Sequence, residues 1–274
     1  MFSFLHFSLY RLHLSYHNTL LLEVKELAYD IIGDIHGCYE ELISLLNKLG
    51  YQRQKTGAYI HPKGRKLAFV GDATDRGPQS LKVLTLLFAM EDAKLLLYSP
   101  GNHCNKLYRF FKGHKVQISH GLETTVEEFK QLSKDKREKF RKRYINFYEA
   151  LPLYQQLDND QLIIAHAGIR GDMIGKPLQK NIIVFVLYGD ITGERLADGR
   201  PLRRDWALDY KGSSLIVYGH TPTNEPRFKN HTINIDTGCV FGGKLSALRY
   251  PELEVMSVPS LQPYVTEKFH EFAD

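Results

Sequence analysis

The sequence is short of cysteine and lacks a long uninterrupted apolar run. Its three cysteines, Cys38, Cys104 and Cys239, are widely spaced, odd in number and form no CxxC pair. That argues against a disulfide framework and suits a reduced, cytoplasmic protein. Residues 1–23 are apolar and aromatic, but His6, Arg11, His13, His17 and Asn18 interrupt them. They make a poor membrane span and show neither the charge order nor the small-residue cleavage site of a signal peptide. A large charge excess is also missing: 36 lysines and arginines against 31 aspartates and glutamates give +5 over 274 residues, which is not the balance of a dedicated nucleic-acid binder. No GxxxxGK followed by Ser or Thr occurs, so a P-loop kinase is excluded. There is no internal repeat and no low-complexity tract. What remains is ordinary globular composition, 43% hydrophobic, enough to bury a sizeable core.

Regular patterning begins near Ala28. The run Ala28–Gly33 reads as a strand, Asp34–Gly37 as a loop, and Tyr39–Leu49 as a helix with apolar residues at helical spacing. The order repeats as Lys66–Gly71, Asp72–Pro78 and Gln79–Met90. A third strand near Lys94–Tyr98 runs into Pro100–His103. Glu123–Tyr148 is charged and helical in character, and its basic run is most simply a solvated helix face. Beyond Pro152 the period shortens, with strands expected at Leu162–Ala165, Leu215–Tyr218, Thr232–Ile235, Leu245–Arg249 and Leu253–Val258. The tail after Gln262 reads as a surface segment. By pattern alone the fold class is α/β with a β-rich second half.

Five short stretches concentrate residues able to bind metal: Gly33–Gly37, Gly71–Gly77, Gly101–His103, Ala165–Gly168 and Tyr218–Thr221. Each follows a strand-like run, and ligands gather at the carboxyl ends of strands in α/β sheets. Taken singly, each has an ordinary explanation. His166 or His220 could be a satisfied histidine at a strand end, Asp75 a helix cap, Gly33-Asp34 a plain turn. Five together, offering carboxylate, carboxamide and imidazole without thiolate, point instead to manganese, iron, zinc or cobalt rather than to a structural zinc site. Two such ions bridged by a carboxylate clamp the attacking and leaving oxygens of a phosphoryl transfer.

These motifs, GDxHG, GDxxDRG, GNH, HAG and GH, resemble those of the calcineurin-like metallophosphoesterases, in the phosphoprotein-phosphatase branch. The resemblance spans about Tyr29 to Tyr250. It implies a central β-sandwich flanked by helices and a pair of divalent transition ions, manganese foremost with iron, zinc, nickel or cobalt as alternatives. By the same resemblance Asp34 and His36 hold the first ion, Asp72 bridges, and Asn102, His166 and His220 complete the pair. Arg76 would hold phosphate oxygens, with Asn102 beside it, and His103 would protonate the leaving oxygen with Asp75 orienting the imidazole. The family continues GNH with an acidic residue where this chain has Cys104, which leaves the surroundings of the ligands open. Leu187–Asp190, Arg203–Ala207 and Asn234–Gly243 are similar to stretches of bacterial asymmetric bis-nucleosyl tetraphosphatases and of the phosphatase module of polynucleotide kinase-phosphatases. They imply Asp236 near the metals and Arg203, with Arg204 as the rival, as a second phosphate clamp. The expected activity is asymmetric hydrolysis of dinucleoside tetraphosphates, with a serine/threonine phosphoprotein phosphatase as the alternative. Tyr39, Tyr108, Lys106 and Arg109 could serve a base and further phosphates, or could be packing and solvated surface.

Residues 24–274 are read as one catalytic domain and 1–23 as an extension, either an added element or the product of an over-called start. Val24 is a reading that a bacterial GTG start would allow. Intact-mass measurement of native protein should then begin at residue 24, and a mass that includes earlier residues overturns that start.

Overall fold

The computed structural model describes residues 27–195, 199 and 201–272; the extension 1–23 lies outside them. In chain order the elements are β1 (Tyr29–Ile32), α1 (Tyr39–Leu49), a small hairpin β2 (Gln52–Arg53) and β3 (Tyr59–Ile60), β4 (Lys66–Phe69), α2 (Ser80–Asp92), β5 (Leu97–Tyr98), α3 (Asn102–Phe111), α4 (Leu122–Lys130) and α5 (Lys134–Ala150). The second half continues with β6 (Gln155–Leu157), β7 (Leu162–Ile164), α6 (Lys180–Tyr188), a hairpin β8 (Ile191–Arg195) and β9 (Pro201–Arg203), β10 (Leu215–Tyr218), β11 (Arg227–Lys229), β12 (Thr232–Asn234), β13 (Lys244–Tyr250) and β14 (Glu254–Pro259).

Two five-stranded sheets, ordered β14-β13-β1-β4-β5 and β11-β12-β10-β7-β6, face each other. The side-chain period of two sorts each central strand between layers. In β1, Tyr29 and Ile31 enter the core between the sheets and Ile32 the outer core; Leu162 and Ile164 of β7 point inward while Ile163 points out. Such strands are buried on both faces, which is why they read as continuous apolar runs rather than as alternating ones. The outer face of the first sheet is covered by α1 to α5, and that of the second by α6 together with Trp206 and Tyr210. The helix-flanked β-sandwich is therefore the observed fold.

Helix α1 matches its expected bounds. Leu42, Leu45, Leu46 and Leu49 recur on its buried face, and Gly50 ends it in the left-handed conformation at φ 95°. The charged middle divides into α4 and α5. Ser133 caps α5 by accepting the Lys136 N–H, and Glu138 pairs with half-buried Arg141 and exposed Lys142, so this stretch of the basic run is a largely solvated face. Helix α6 departs from the β reading of the second half. Its segment KNIIVFVLY is a short apolar run whose β-branched residues give no period that separates helix from strand. Among the described residues no helix is long and apolar enough to cross a membrane.

What positions the site is strand direction. β1, β4 and β5 run parallel in one sheet, and β7, β10 and β12 run parallel in the other. Parallel strands bring their carboxyl ends, with the loops that follow, to a common side. The inter-sheet core holds that arrangement together. Ile164→Ala, removing a fully buried side chain there, should lower unfolding free energy by about 3 kcal/mol, read as a reduced urea midpoint at unchanged m.

Candidate functional site

The loops after six parallel strands converge, and their backbone is strained where they do. His36, Asp72, Asp75, Arg76 and His220 all have positive φ, at 46°, 37°, 77°, 70° and 73°. A left-handed conformation costs a non-glycine residue on the order of 1 kcal/mol, and such outliers cluster at functional sites. Close approach explains two of the glycines. A Cβ at Gly101 would lie 2.0 Å from Asp72 Oδ1, and one at Gly219 would lie 2.1 Å from Asp34 Oδ1, so these positions are left bare for two buried carboxylates.

Asp72 lies at the centre. It is 1% exposed, belongs to one group of converging donors with His36 and His103, and to a second with His166 and His220. Its Oδ2 is 3.7 Å from His36 Nε2 and 3.3 Å from His166 Nε2. Its Oδ1 accepts the His103 N–H at 3.0 Å. Burial pushes the carboxyl up, but the charges of His166 and His103, the hydrogen bond from His166 and the charge of His36 more than offset it and hold Asp72 well below the usual range. Asp34 goes the other way: burial, then the charge of Asp236, raises it well above that range, although the His220 N–H points at its oxygens.

The imidazoles differ in what their two nitrogens meet. His36 Nδ1 lies 2.8 Å from the Thr74 carbonyl; only an N–H satisfies that oxygen, so Nε2 turns its lone pair toward Asp34 and Asp72. His166 Nε2 lies 3.1 Å from both Asn102 Oδ1 and His220 Nδ1, and its Nδ1 is buried without a hydrogen-bond partner. Burial lowers His166, but Asp72 and Asp34 outweigh it and push it up to about 9. His36 and His220 are held well below their usual value by burial first, then by Arg76 and by His166 and Arg203, respectively. Six oxygen and nitrogen donors thus crowd one buried place with no thiolate among them. This is the donor chemistry of divalent transition ions, and it sits as two groups sharing one carboxylate.

Around the donors, His103 Nδ1 pairs with Asp75 Oδ2 at 2.7 Å, and Asp75 is fully buried. Thr125 of α4 donates to Asp75 Oδ1 at 2.7 Å. Nothing near Asp75 in the chain signals that partner, which lies fifty residues away. Arg76 reaches His36 Nε2 and lies over the Phe241 ring at 5.3 Å. Asp236 is buried, its Oδ1 accepting the Gly238 N–H, and burial leaves it raised to about 6. Cys104 is buried with Tyr98 Oη 3.1 Å away and Asp72 Oδ1 3.9 Å away; burial and the Asp72 charge push its thiol up to about 12, so it stands there neutral.

Of these groups Arg76, Asn102, His103 and His220 line a cavity of about 1050 Å³. Both Arg203 and Arg204 line it. The Arg203 Nε–H donates to the Tyr188 carbonyl at 2.6 Å and its charge is felt by His220, whereas the largely exposed Arg204 pairs with Asp190. Lys106 and Arg109 also line it, but Tyr39 and Tyr108 do not. Tyr108 stacks on Tyr148 of α5 and donates to Glu149, and Tyr39 lies under Lys82. Their helices carry these rings away from the loops. The rings that do line the cavity are Tyr188, Trp206, Tyr218, Phe241 and Phe272, the last four contributed by segments far from the ligand motifs of the first half.

A family profile described as calcineurin-like phosphoesterase matches residues 28–224. The chain belongs to this family. It is 61% identical over 243 residues, 89% of this chain and 98% of the relative, to the asymmetrical bis(5'-nucleosyl)-tetraphosphatase PrpE of Geobacillus sp. (strain WCH70). Its fold is similar to a chain described as a candidate diadenosine tetraphosphatase, at TM-score 0.60 and 22% identity over 85% of this chain and 94% of that one. It is also similar to a protein serine/threonine phosphatase from Saccharomyces cerevisiae, at TM-score 0.53 and 14% identity over 88% of this chain and 81% of that one. Family membership makes this chain a metal-dependent phosphohydrolase, and the donor set fits the divalent ions that the family implies. Gly101→Ala should therefore strip bound metal, because its Cβ would displace Asp72; elemental analysis of the purified variant should find less than half the wild-type content, and full content would contradict this packing.

Proposed function

We propose that this calcineurin-like phosphoesterase hydrolyses dinucleoside tetraphosphates asymmetrically, converting diadenosine tetraphosphate to ATP and AMP. The observation that carries the substrate is the 61% identity to the PrpE tetraphosphatase along nearly its whole length. The cavity supports it: among the described residues, eight lysines and arginines against two aspartates line it, a charge balance suited to a chain of phosphates.

In this reading Asp34, His36 and Asp72 hold one ion, and Asp72, Asn102, His166 and His220 hold the other. When bound, the pair, manganese by preference, supplies Lewis acidity toward phosphoryl oxygens and makes water acidic enough to attack at neutral pH. Arg76 holds the reacting phosphoryl group, its guanidinium suited to two oxygens at once, and Asn102 lies beside it. His103 gives its proton to the leaving oxygen, while Asp75, fixed by Thr125, keeps the ring turned. Asp236 adds its charge to burial in raising the Asp34 carboxyl. Arg203 clamps a second phosphate, its side chain steadied by the Tyr188 carbonyl. Residues 24–274 act as one domain, and three free buried cysteines suit the cytoplasm.

Manganese-loaded protein given diadenosine tetraphosphate beside a phosphoserine peptide at equal concentration should release ATP and AMP with little peptide turnover. Efficient peptide dephosphorylation with the dinucleotide untouched would move the chain to protein phosphatase.

A further inference from the structure

The tail after Gln262 is at the surface, as its sequence suggests, but it also folds back over the catalytic side. Phe269 stacks on Tyr264 with ring centroids 4.9 Å apart and interplanar angle 17°. It lies so close to the turn following Asp236 that a Cβ at Gly238 would be 2.4 Å from its ring. The His270 N–H then donates to the Pro222 carbonyl at 2.8 Å, two residues past His220. These contacts tie the tail to two of the loops that build the metal centre, and Lys268, His270 and Phe272 line the same cavity as Arg76 and His103.

Phe272 is set apart from the other rings there. Trp206 and Tyr218 are buried, Phe241 faces the Arg76 guanidinium, and half-buried Tyr188 holds Arg203 on its carbonyl oxygen. Phe272 is half-buried. One side of its ring is backed by Arg227 at 4.1 Å, a guanidinium held in turn by both carboxylate oxygens of Asp205, and the His270 ring meets it edge-on at 4.4 Å. A cation-backed aromatic on a fixed support is a ready stacking surface for a flat, electron-rich heterocycle. The cavity has room for more than a phosphoryl group, since about 1050 Å³ is at the upper end of small-molecule sites.

We propose that the segment Lys268–Phe272 forms the subsite for one nucleobase of the dinucleotide, with Phe272 as its stacking surface; this rests on the dinucleoside tetraphosphate activity proposed above. Lys268 adds positive charge on the phosphate side of that base. The tail thereby sets selectivity for a nucleotide over a plain phosphate ester, although it carries none of the metal ligands.

The test compares full-length wild type, Phe272→Ala and Phe272→Trp, all manganese-loaded, on diadenosine tetraphosphate and on p-nitrophenyl phosphate. Loss of one base–aromatic stack should raise KM for the dinucleotide about tenfold in the alanine variant. Its selectivity for dinucleotide over the aryl phosphate should fall by the same factor, and tryptophan should restore it. Equal loss on both substrates with a lowered melting temperature would make the tail a packing strap, and unchanged selectivity in Phe272→Ala would remove the subsite; either result overturns the proposal. Wild type that cleaves only p-nitrophenyl phosphate would instead overturn the dinucleotide reading itself, and the subsite with it.

Discussion

The buried carboxylate of Asp72 is the constraint on which the site depends. A charge removed from water costs several kcal/mol unless its surroundings compensate it, and here the compensation comes from loops of different strands. His36 follows β1, His103 opens α3 after β5, and His166 follows β7 of the opposite sheet. Holding the carboxylate therefore requires both sheets to end at the same rim and requires bare backbone at Gly101. The positive φ values at His36, Asp72 and His220 are the local consequence. A divalent pair would share this carboxylate, and of the histidines that offset its charge His36 and His166 are the ones that would turn their lone pairs to the ions.

A second layer of organisation is the distribution of charge. Over the whole chain the excess is only +5, too small to say anything about partners. Among the described residues, eight basic side chains face two acidic ones in one cavity, so positive charge is gathered where a polyphosphate would enter. Apart from Arg76, in the loop after β4, the bases come from α3, from the segment after it, from the β8–β9 hairpin and the residue that follows it, and from the tail. None of those segments carries a strand of the two main sheets. Division of labour follows: the sandwich holds the reacting centre rigid, and the added segments distinguish one phosphate compound from another.

Much of this was legible beforehand, for identifiable reasons. Asp34, His36, Asp72, Asn102, His166 and His220 sit just past apolar strand runs, in short stretches that each contain glycine, and both signals are local. Asp75 and His103 pair as the motif implies. Tyr39 and Tyr108 lie close to the motifs in the chain but are carried off by helical geometry to Lys82 and Tyr148. Helix α6 was hidden because nine mostly apolar residues fit either period.

The sequence by itself determined the donor types, their order, and an α/β pattern with a β-rich second half, because side-chain period and turn chemistry act over a few residues; the two-layer sandwich was implied only by the resemblance of the motifs to a family. Only the tertiary structure decided that Thr125 holds Asp75, that Arg203 rather than Arg204 is felt by His220, that Cys104 lies against Asp72, and that the tail returns to wall the cavity. Those contacts join residues distant in the chain, and their partners are selected by how sheets and helices pack, which no local window of residues specifies.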